Sequence, residues 1–377
     1  MITGICTTAV LLCVLYCAGV VCILYTLGTD CHERGDFRPS VSVVAAARNE
    51  RESIAQCMVS LITQDYPSEL YEIIIVDDRS SDGTAEIVES FAGGVSTVQL
   101  LKIKFVPKGI SPKKNAVAHG IRHAKGEIIL QTDADCIVPA GWISGVVGQF
   151  NPRTGAVLGI APYLPSRGML NSFVRHEYLW NAGLMAGSAA LGMPTHASAR
   201  NLAFRKRLFE DVGGYGADAS LSSGDDTLFV HRIRKLSETD ISVSCARETH
   251  VLTRSPQTFS AFVRQRIRHM STGRKFRLAH LLVATPVYGF HLSFFVLAGL
   301  SLMSPIYMYT LLSVLAIKLA TDAVAGERIA RACGLSVQWR RFLINELLLV
   351  AYMAFMPIAG LFLSVVWKEN DCETRHH

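Results

Sequence analysis

Two carboxylates one residue apart, Asp133 and Asp135, close the apolar stretch ILQTDADC at residues 129–136. Side chains of this type at this spacing can hold a hard divalent cation through oxygen, act on a proton, or close a turn. An aspartyl-phosphatase nucleophile of the form D-x-D-x-[TV] fits poorly, because Ile137 stands at the Thr/Val position. Other polar groups also sit where apolar runs end. Arg48, Asn49 and Glu50 follow VSVVAAA, Asp77 and Asp78 finish YEIIIVDD, and Lys113 and Lys114 open PKKNAVAHGIRHA. Farther along come the adjacent acids Asp225 and Asp226 in SGDDTLF and the basic run QRIRH at 265–269. Each acid also reads as a helix cap or turn residue, Asp82 most plainly, ahead of GTAEIVESFA.

The elements between these residues decide how they meet. From residue 40 to about 255 the pattern alternates β-branched apolar runs with segments whose apolar residues recur at helical spacing. VSVVAAA, YEIIIVDD, STVQLLKI and GEIILQTDAD read as strands, with helices between them. Continuous apolar strands alternating with helices predict an α/β fold with a parallel sheet covered on both faces. In such sheets ligands bind beyond the carboxyl ends of the strands. Three strands would then deliver acids or hydrogen-bonding groups to one edge, a coincidence that chance caps do not explain.

Hydrophobic residues make up 50% of the 377 and charged residues only 18%, so membrane segments are expected. Residues 1–29 carry no charge and include an apolar run long enough to cross a bilayer, with no basic n-region of a cleaved signal. Further spans are expected at about 279–303, 305–325 and 342–367, followed by a tail at 368–377. Lys318 and Asp322, one turn apart in the second of these, read as a snorkelling helix end. Basic residues precede the first C-terminal span (Arg264, Arg266, Arg268, Arg274, Lys275, Arg277) and lie between the second and third (Arg328, Arg331, Arg340, Arg341). The positive-inside rule puts both segments, and the polar middle, in the cytoplasm. The net charge of +6 is mostly these flanking residues and points to anionic headgroups rather than nucleic acid. The ten cysteines include no C-x-x-C pair, so neither a zinc site nor a disulfide framework is expected.

AAARNE, VDDRSSDGT, KKNAVAHGI, TDADC, SARNLAFRKRLFEDVGGY, SGDDTLF and QRIRH occur in an order that resembles the family 2 glycosyltransferases of GT-A fold. The similarity runs from about residue 41 to 277. It is nearest in character to the membrane-bound branch with ceramide glucosyltransferases and bacterial enzymes acting on lipids or polysaccharides. It implies a Rossmann-like GT-A domain at 38–255, an interfacial basic helix at 256–278, and one N-terminal and about three C-terminal membrane helices. It also implies a UDP- or GDP-sugar donor, a lipid or lipid-linked acceptor, an Mg²⁺ or Mn²⁺ ion, and a chain able to form homo-oligomers. By the resemblance, Ala47, Asn49, Glu50, Asp77, Asp78, Lys113, Asp133, Gln265 and Arg268 bind the donor. Asp135, with Asp133, holds the metal. Asp226 takes the acceptor proton, supported by Asp225. His269 departs from the family's Q-x-x-R-W, which weakens a processive reading, since the stacking indole is gone. A polysaccharide synthase subunit and a catalytically silent nucleotide-sugar-binding assembly protein remain as alternatives. Arg205, Lys206 and Arg207 read as solvated charges. The segment at 169–187 reads equally as acceptor tunnel or core.

Overall fold

The computed structural model describes residues 2–27, 37–221, 224, 226–236, 239–271 and 278–362. Asp225, Arg274, Lys275, Arg277 and the tail therefore lie outside the described residues. After an apolar helix α1 (Ile2–Thr26), strands β1 (Val41–Ala47), β2 (Tyr71–Asp77), β3 (Val98–Lys102) and β4 (Ile128–Asp133) alternate with α2 (Ile54–Ile62), α3 (Thr84–Ala92) and α4 (Pro112–His123). Then come α5 (Trp142–Val147), β5 (Thr154–Gly159), α6 (Met169–Ala190), β6 (Leu202–Arg205), α7 (Lys206–Asp211), α8 (Thr227–Leu236), β7 (Asp240–Ser244) and α9 (Phe259–Ser271). The chain ends in α10 (Leu278–Leu300), α11 (Pro305–Ala332) and α12 (Phe342–Phe362).

The strands form one seven-stranded sheet in the order β3-β2-β1-β4-β6-β5-β7. Pairing is parallel except where β6 runs against both β4 and β5. Alternate side chains of β1 and β2 enter separate cores, as a two-residue period requires. Val44, Ile74 and Val76 pack on one side, Val43, Ala45, Ile73 and Ile75 on the other. With each such side chain contributing roughly 1.5–3 kcal/mol on burial, a slip by one residue would exchange both cores, so the register is firmly held. That register aligns Ala47 with Asp77 and Ala46 with Asp133, which sets the polar strand ends side by side.

Among the described residues three helices are long and apolar enough to cross a membrane, Ile2–Thr26, Pro305–Ala332 and the segment Trp339–Gly360, and Thr285–Leu300 of α10 is a shorter apolar stretch. α6 packs on α1, α11 and α12 and joins this bundle to the sheet domain. Most of its length is buried, so of the two readings of 169–187 it is the core one that the fold follows. Small residues allow the close approach. A Cβ on Gly183 would come within 2.6 Å of Ile329, and one on Gly187 within 2.7 Å of Ile23.

The snorkelling reading of Lys318 and Asp322 is overturned. α11 continues to Ala332, so these residues lie mid-helix, and both are fully buried. Lys318 Nζ donates to Asp322 and to Glu346 of α12 at 2.5 Å each. Tyr16 of α1 donates to Asp322 at 2.7 Å, and His176 of α6 meets Glu346 at 2.8 Å. Four helices are thus bonded through one buried charged cluster, which meets the condition for keeping charges in an apolar interior: each has a partner.

Candidate active site

The carboxyl edge of the sheet is built from loops that fold onto one another. Asn49 and Arg79, at the ends of β1 and β2, adopt left-handed backbone (φ 53° and 56°), a conformation that non-glycine residues take at a cost and that gathers at functional sites. Asn49 accepts from Ser81 N–H at 2.9 Å and donates its own N–H to Ser80 at 3.0 Å, while Glu50 N–H donates to Thr84 at 2.8 Å. Asp82 accepts from Arg51 N–H and from Thr84 N–H, both at 3.0 Å, and so starts α3 from one position before its N-cap, Gly83. Ala47 is buried and its carbonyl accepts from Asp78 N–H at 2.8 Å.

The neighbours Asp77 and Asp78 have different fates. Asp78 is buried between Arg48 (3.3 Å) and Arg79 (2.9 Å), so its charge is already matched. Asp77 is also buried, and its Oδ1 has no hydrogen-bond partner. A buried acceptor without a donor costs about 1–3 kcal/mol, and a ligand N–H or O–H at this place would recover it. Lys113 and Lys114 diverge likewise. Lys113 pairs with Asp133 at 2.8 Å at the mouth of the site. Lys114 turns inward, 1% exposed, and donates to the carbonyl of Asp218 at 2.6 Å, so neither a solvated face nor a ligand contact describes it.

Burial opposes the charge on Asp133, but Lys113, Arg200 and Arg268 together hold its carboxyl below the usual range. Burial and the adjacent charge of Asp133 push Asp135 upward. Cys136 Sγ donates to Asp135 Oδ1 at 3.6 Å, and Cys57 Sγ approaches the Asp133 carbonyl at 3.8 Å. Burial and the two carboxylates raise the Cys57 thiol to about 12, which keeps it protonated at neutral pH and unsuited to act as a nucleophile. Among the described residues no three His, Cys, Asp or Glu side chains cluster to cage an ion by themselves. The donor set still fits Mg²⁺ or Mn²⁺: these ions take one or two carboxylates and fill the remaining positions with phosphate and water. Asp135, whose ionised form burial and Asp133 oppose and a cation would favour, would be the fitting ligand, with Asp133 beside it.

The opposite wall comes from β6, α8 and α9. Asp226 immediately precedes α8, and its carbonyl accepts the helix-opening bond from Val230 N–H at 2.9 Å. Its carboxylate accepts from Thr227 N–H at 2.5 Å and from Ala199 N–H at 2.9 Å. It is therefore a helix cap and an oriented carboxylate at once. On α9, Arg266 turns away from the edge to bond Glu177 of α6 at 2.5 Å, and it is buried rather than facing headgroups. Gln265 is half-buried and accepts from Arg266 at 3.4 Å. Arg268 faces the edge closely enough to act on Asp133. His269 is exposed on α9, among the cations Arg266, Arg268, Arg200 and Lys113.

Arg200 was not expected from the sequence. The pairing of β6 with β4 ends with Leu202 opposite Gln131; residues 199–201 then form a 3-10 turn packed on β4, in which Arg200 is close enough to act on Asp133. Its neighbour Asn201 is buried, donating to the carbonyls of Ile160 (2.9 Å) and Thr249 (2.8 Å) and accepting from Trp142 Nε1 (2.9 Å). Arg205 is not a solvated charge either: it donates to Thr154 O at 3.0 Å, Asn151 O at 2.9 Å and Glu127 at 2.5 Å, lacing β6 to its neighbours. Lys206 reaches the carbonyl of Ala124 at 2.7 Å, and Arg207 is exposed as expected.

Parallel strands that carry an Asp-x-Asp pair and a group of cations to one carboxyl edge make the arrangement of a GT-A glycosyltransferase, and the whole chain agrees in shape. It matches mannosyltransferase PcManGT from Pyrobaculum calidifontis, solved with GDP-Man and Mn²⁺, at a TM-score of 0.59 over 96% of this chain and 99% of that one, with 18% identity. Residues 42–213 match glycosyl transferase family 2, and residues 128–321, about half of the chain, match glycosyl transferase family group 2. The chain belongs to the family 2 glycosyltransferases and is a transferase. Glycosyltransferase AglE of Haloferax volcanii is 27% identical over 56% of this chain and 65% of its own length. A poly-β-1,6-N-acetyl-D-glucosamine synthase of Staphylococcus epidermidis is 30% identical over 47% of this chain and 42% of its own. A β-monoglucosyldiacylglycerol synthase of Trichormus variabilis is 28% identical over 51% and 41%. The chain thus spans less than two thirds of the length of each of these relatives.

Proposed function

We propose that the chain moves a single sugar from a UDP- or GDP-sugar onto a lipid or lipid-linked acceptor at the cytoplasmic face of a membrane, with inversion at the anomeric carbon. The observation that carries this reading is the shared wall between site and apolar bundle. α9, which presents Arg268 to the Asp133 edge, packs on α12, with Phe262 against Tyr352 at 6.1 Å. Tyr352 in turn donates to Glu177, the partner of Arg266, at 3.2 Å. An acceptor held in the bilayer would meet the sheet edge there. Similarity to a glucosyldiacylglycerol synthase supports a lipid acceptor, and the basic residues near the bundle support a cytoplasmic catalytic domain.

In this reading Asp77 receives an N–H or O–H of the nucleoside through its free oxygen, within the loops of Ala47, Asn49, Glu50 and Asp78. Lys113 and Arg268 hold the diphosphate by charge-assisted hydrogen bonds, and Gln265 lines the same wall. Asp135 and Asp133 would hold Mg²⁺ or Mn²⁺, which when bound acts as a Lewis acid that neutralises the leaving diphosphate. Asp226, kept in place by Ala199 and Thr227, takes the proton of the acceptor hydroxyl as its oxygen attacks the anomeric carbon. The bond from that carbon to the phosphate oxygen breaks on the opposite face, and the electron pair leaves with the diphosphate. Asp225 adjoins the base in sequence.

The test is reconstitution in vesicles of native lipid with Mn²⁺, a panel of UDP- and GDP-sugars, and mass-spectrometric detection of product. One added sugar on a lipid is expected. A longer product would favour a polysaccharide synthase, in keeping with the similarity to the poly-N-acetylglucosamine enzyme. Donor binding without any metal-dependent turnover would favour the silent assembly protein.

A further inference from the structure

We propose that Arg200 is a catalytic residue of the donor half: its guanidinium clamps the diphosphate and stabilises the negative charge that builds there as the sugar leaves. The assignment rests on the transferase reading above and names a residue that the family's order of motifs does not single out.

The 3-10 turn 199–201, packed on β4, brings Arg200 near enough to act on Asp133, and two tyrosines fix its plane. Its guanidinium carbon lies 4.9 Å from the ring centre of Tyr163 and 5.8 Å from that of Tyr178. Both rings are buried and meet edge to face at 5.8 Å, and Tyr178 is itself held by Ala161 N–H at 2.5 Å. Stacking of this kind suits arginine and not lysine. Nε donates to Ser198 at 3.3 Å. That is the only hydrogen bond Arg200 makes among the described residues, and no carboxylate there comes within ion-pair distance of it. Asp133, an acid close enough to feel its charge, is instead paired with Lys113. Arg200 therefore keeps its terminal N–H groups, the fork that matches a phosphate, while its stem and plane are immobilised. Ala199, the residue before it, donates to Asp226, so the turn 199–201 places the clamp next to the proposed base.

In the transfer step Arg200 exchanges no proton. The bond between anomeric carbon and phosphate oxygen breaks, its electron pair remains on that oxygen, and the N–H donors of Arg200 meet the charge there. Because the donors are already aligned, little reorganisation accompanies the charge shift, the condition under which electrostatic stabilisation is largest.

The experiment compares wild type with Arg200→Met, Arg200→Lys and Tyr163→Leu as full-length protein in detergent. It measures affinity for UDP and GDP, with and without Mn²⁺, affinity for uridine and guanosine, and initial rates of transfer. We expect Arg200→Met to weaken diphosphate affinity about tenfold or more, as the loss of hydrogen bonds to a charged group implies, and to lower kcat by roughly 10²–10³. Nucleoside affinity stays unchanged, Arg200→Lys recovers little, and Tyr163→Leu falls between. Diphosphate affinity and kcat within about twofold of wild type in Arg200→Met would overturn the assignment. So would equal losses for nucleosides and diphosphates, which would mark a structural role, or a defect confined to acceptor KM, which would put Arg200 on the acceptor. If wild type binds neither UDP nor GDP, the transferase reading fails as well. Normal wild-type binding with unaltered Arg200→Met binding sinks the clamp alone.

Discussion

Replacing Asn201 by alanine removes the residue that ties three segments of the site's floor together. Asn201 is 2% exposed and Trp142 0%. Truncation leaves Trp142 Nε1–H and the carbonyl of Thr249 each short of a partner, while the Ile160 carbonyl keeps the N–H of Val251. At about 1–3 kcal/mol for each of the two buried groups left unsatisfied, the sum reaches roughly 2–6 kcal/mol. The space vacated can admit a water that repairs part of the loss, which brings the expected cost to the lower half of that range. For a domain of this size each kcal/mol moves Tm by roughly 2–4 °C, so a fall on the order of 10 °C is expected. Thermal unfolding in detergent, followed by tryptophan fluorescence, reads it directly, because Trp142 is one of the groups affected. Adding Trp142→Phe removes one orphaned donor, so the double variant should lose less than the sum of the two single variants, a coupling of about 0.5–3 kcal/mol. A fall in Tm below about 2 °C, or strict additivity of the pair, would refute the reasoning.

Further outcomes follow from neighbouring features. Gly159→Ala places a Cβ 2.1 Å from Asn201 Cγ, and since that side chain cannot move without giving up its bonds, a loss of about 1–3 kcal/mol in the same assay is expected. Lys318→Met strands Asp322 and Glu346 in the apolar bundle and should cost roughly 3–5 kcal/mol, whereas replacing all three by apolar residues should restore most of it; equal losses would argue against the pairing. Burial, opposed in part by Glu177, lowers His196 from 6.5 to about 4. As pH falls through 6.5 the unfolded chain takes up this proton first, so Tm should fall between about pH 6.5 and 4 and then level off. The full effect is at most ~3 kcal/mol, and His196→Gln should flatten that part of the pH profile.

What could be read ahead of the structure was mostly local. Apolar β-branched runs ending in Asp77, Asp78, Asp133 and Asp135 sufficed to place these acids at strand ends, because a buried strand announces itself in a few residues. The same holds for the apolar run that became α1. What escaped depended on distant partners. Arg200 precedes the short strand LAFR, and only the packing of its turn on β4 brings it towards Asp133. Lys114 reads as one more base on a basic helix until Asp218, far along the chain, supplies its acceptor. Hydropathy could not tell that α11 runs past Asp322 or that Glu346 and Tyr16 await it. The different uses of Asp77 and Asp78 likewise depend on Arg48 and on Arg79, and the left-handed backbone of Arg79 is one that no composition reveals.

The central claim is that the Asp133 edge binds a nucleotide sugar and that Asp226 completes the transfer. The most direct measurement sets wild type beside Asp226→Asn in native-lipid vesicles, reading Mn²⁺-dependent UDP and GDP affinity together with transfer. Asn keeps one acceptor oxygen for the backbone donors, so the variant should bind nucleotide within about threefold of wild type while transfer falls by roughly 10²–10⁴. Transfer at near wild-type rate in Asp226→Asn, with nucleotide affinity intact, would contradict the account.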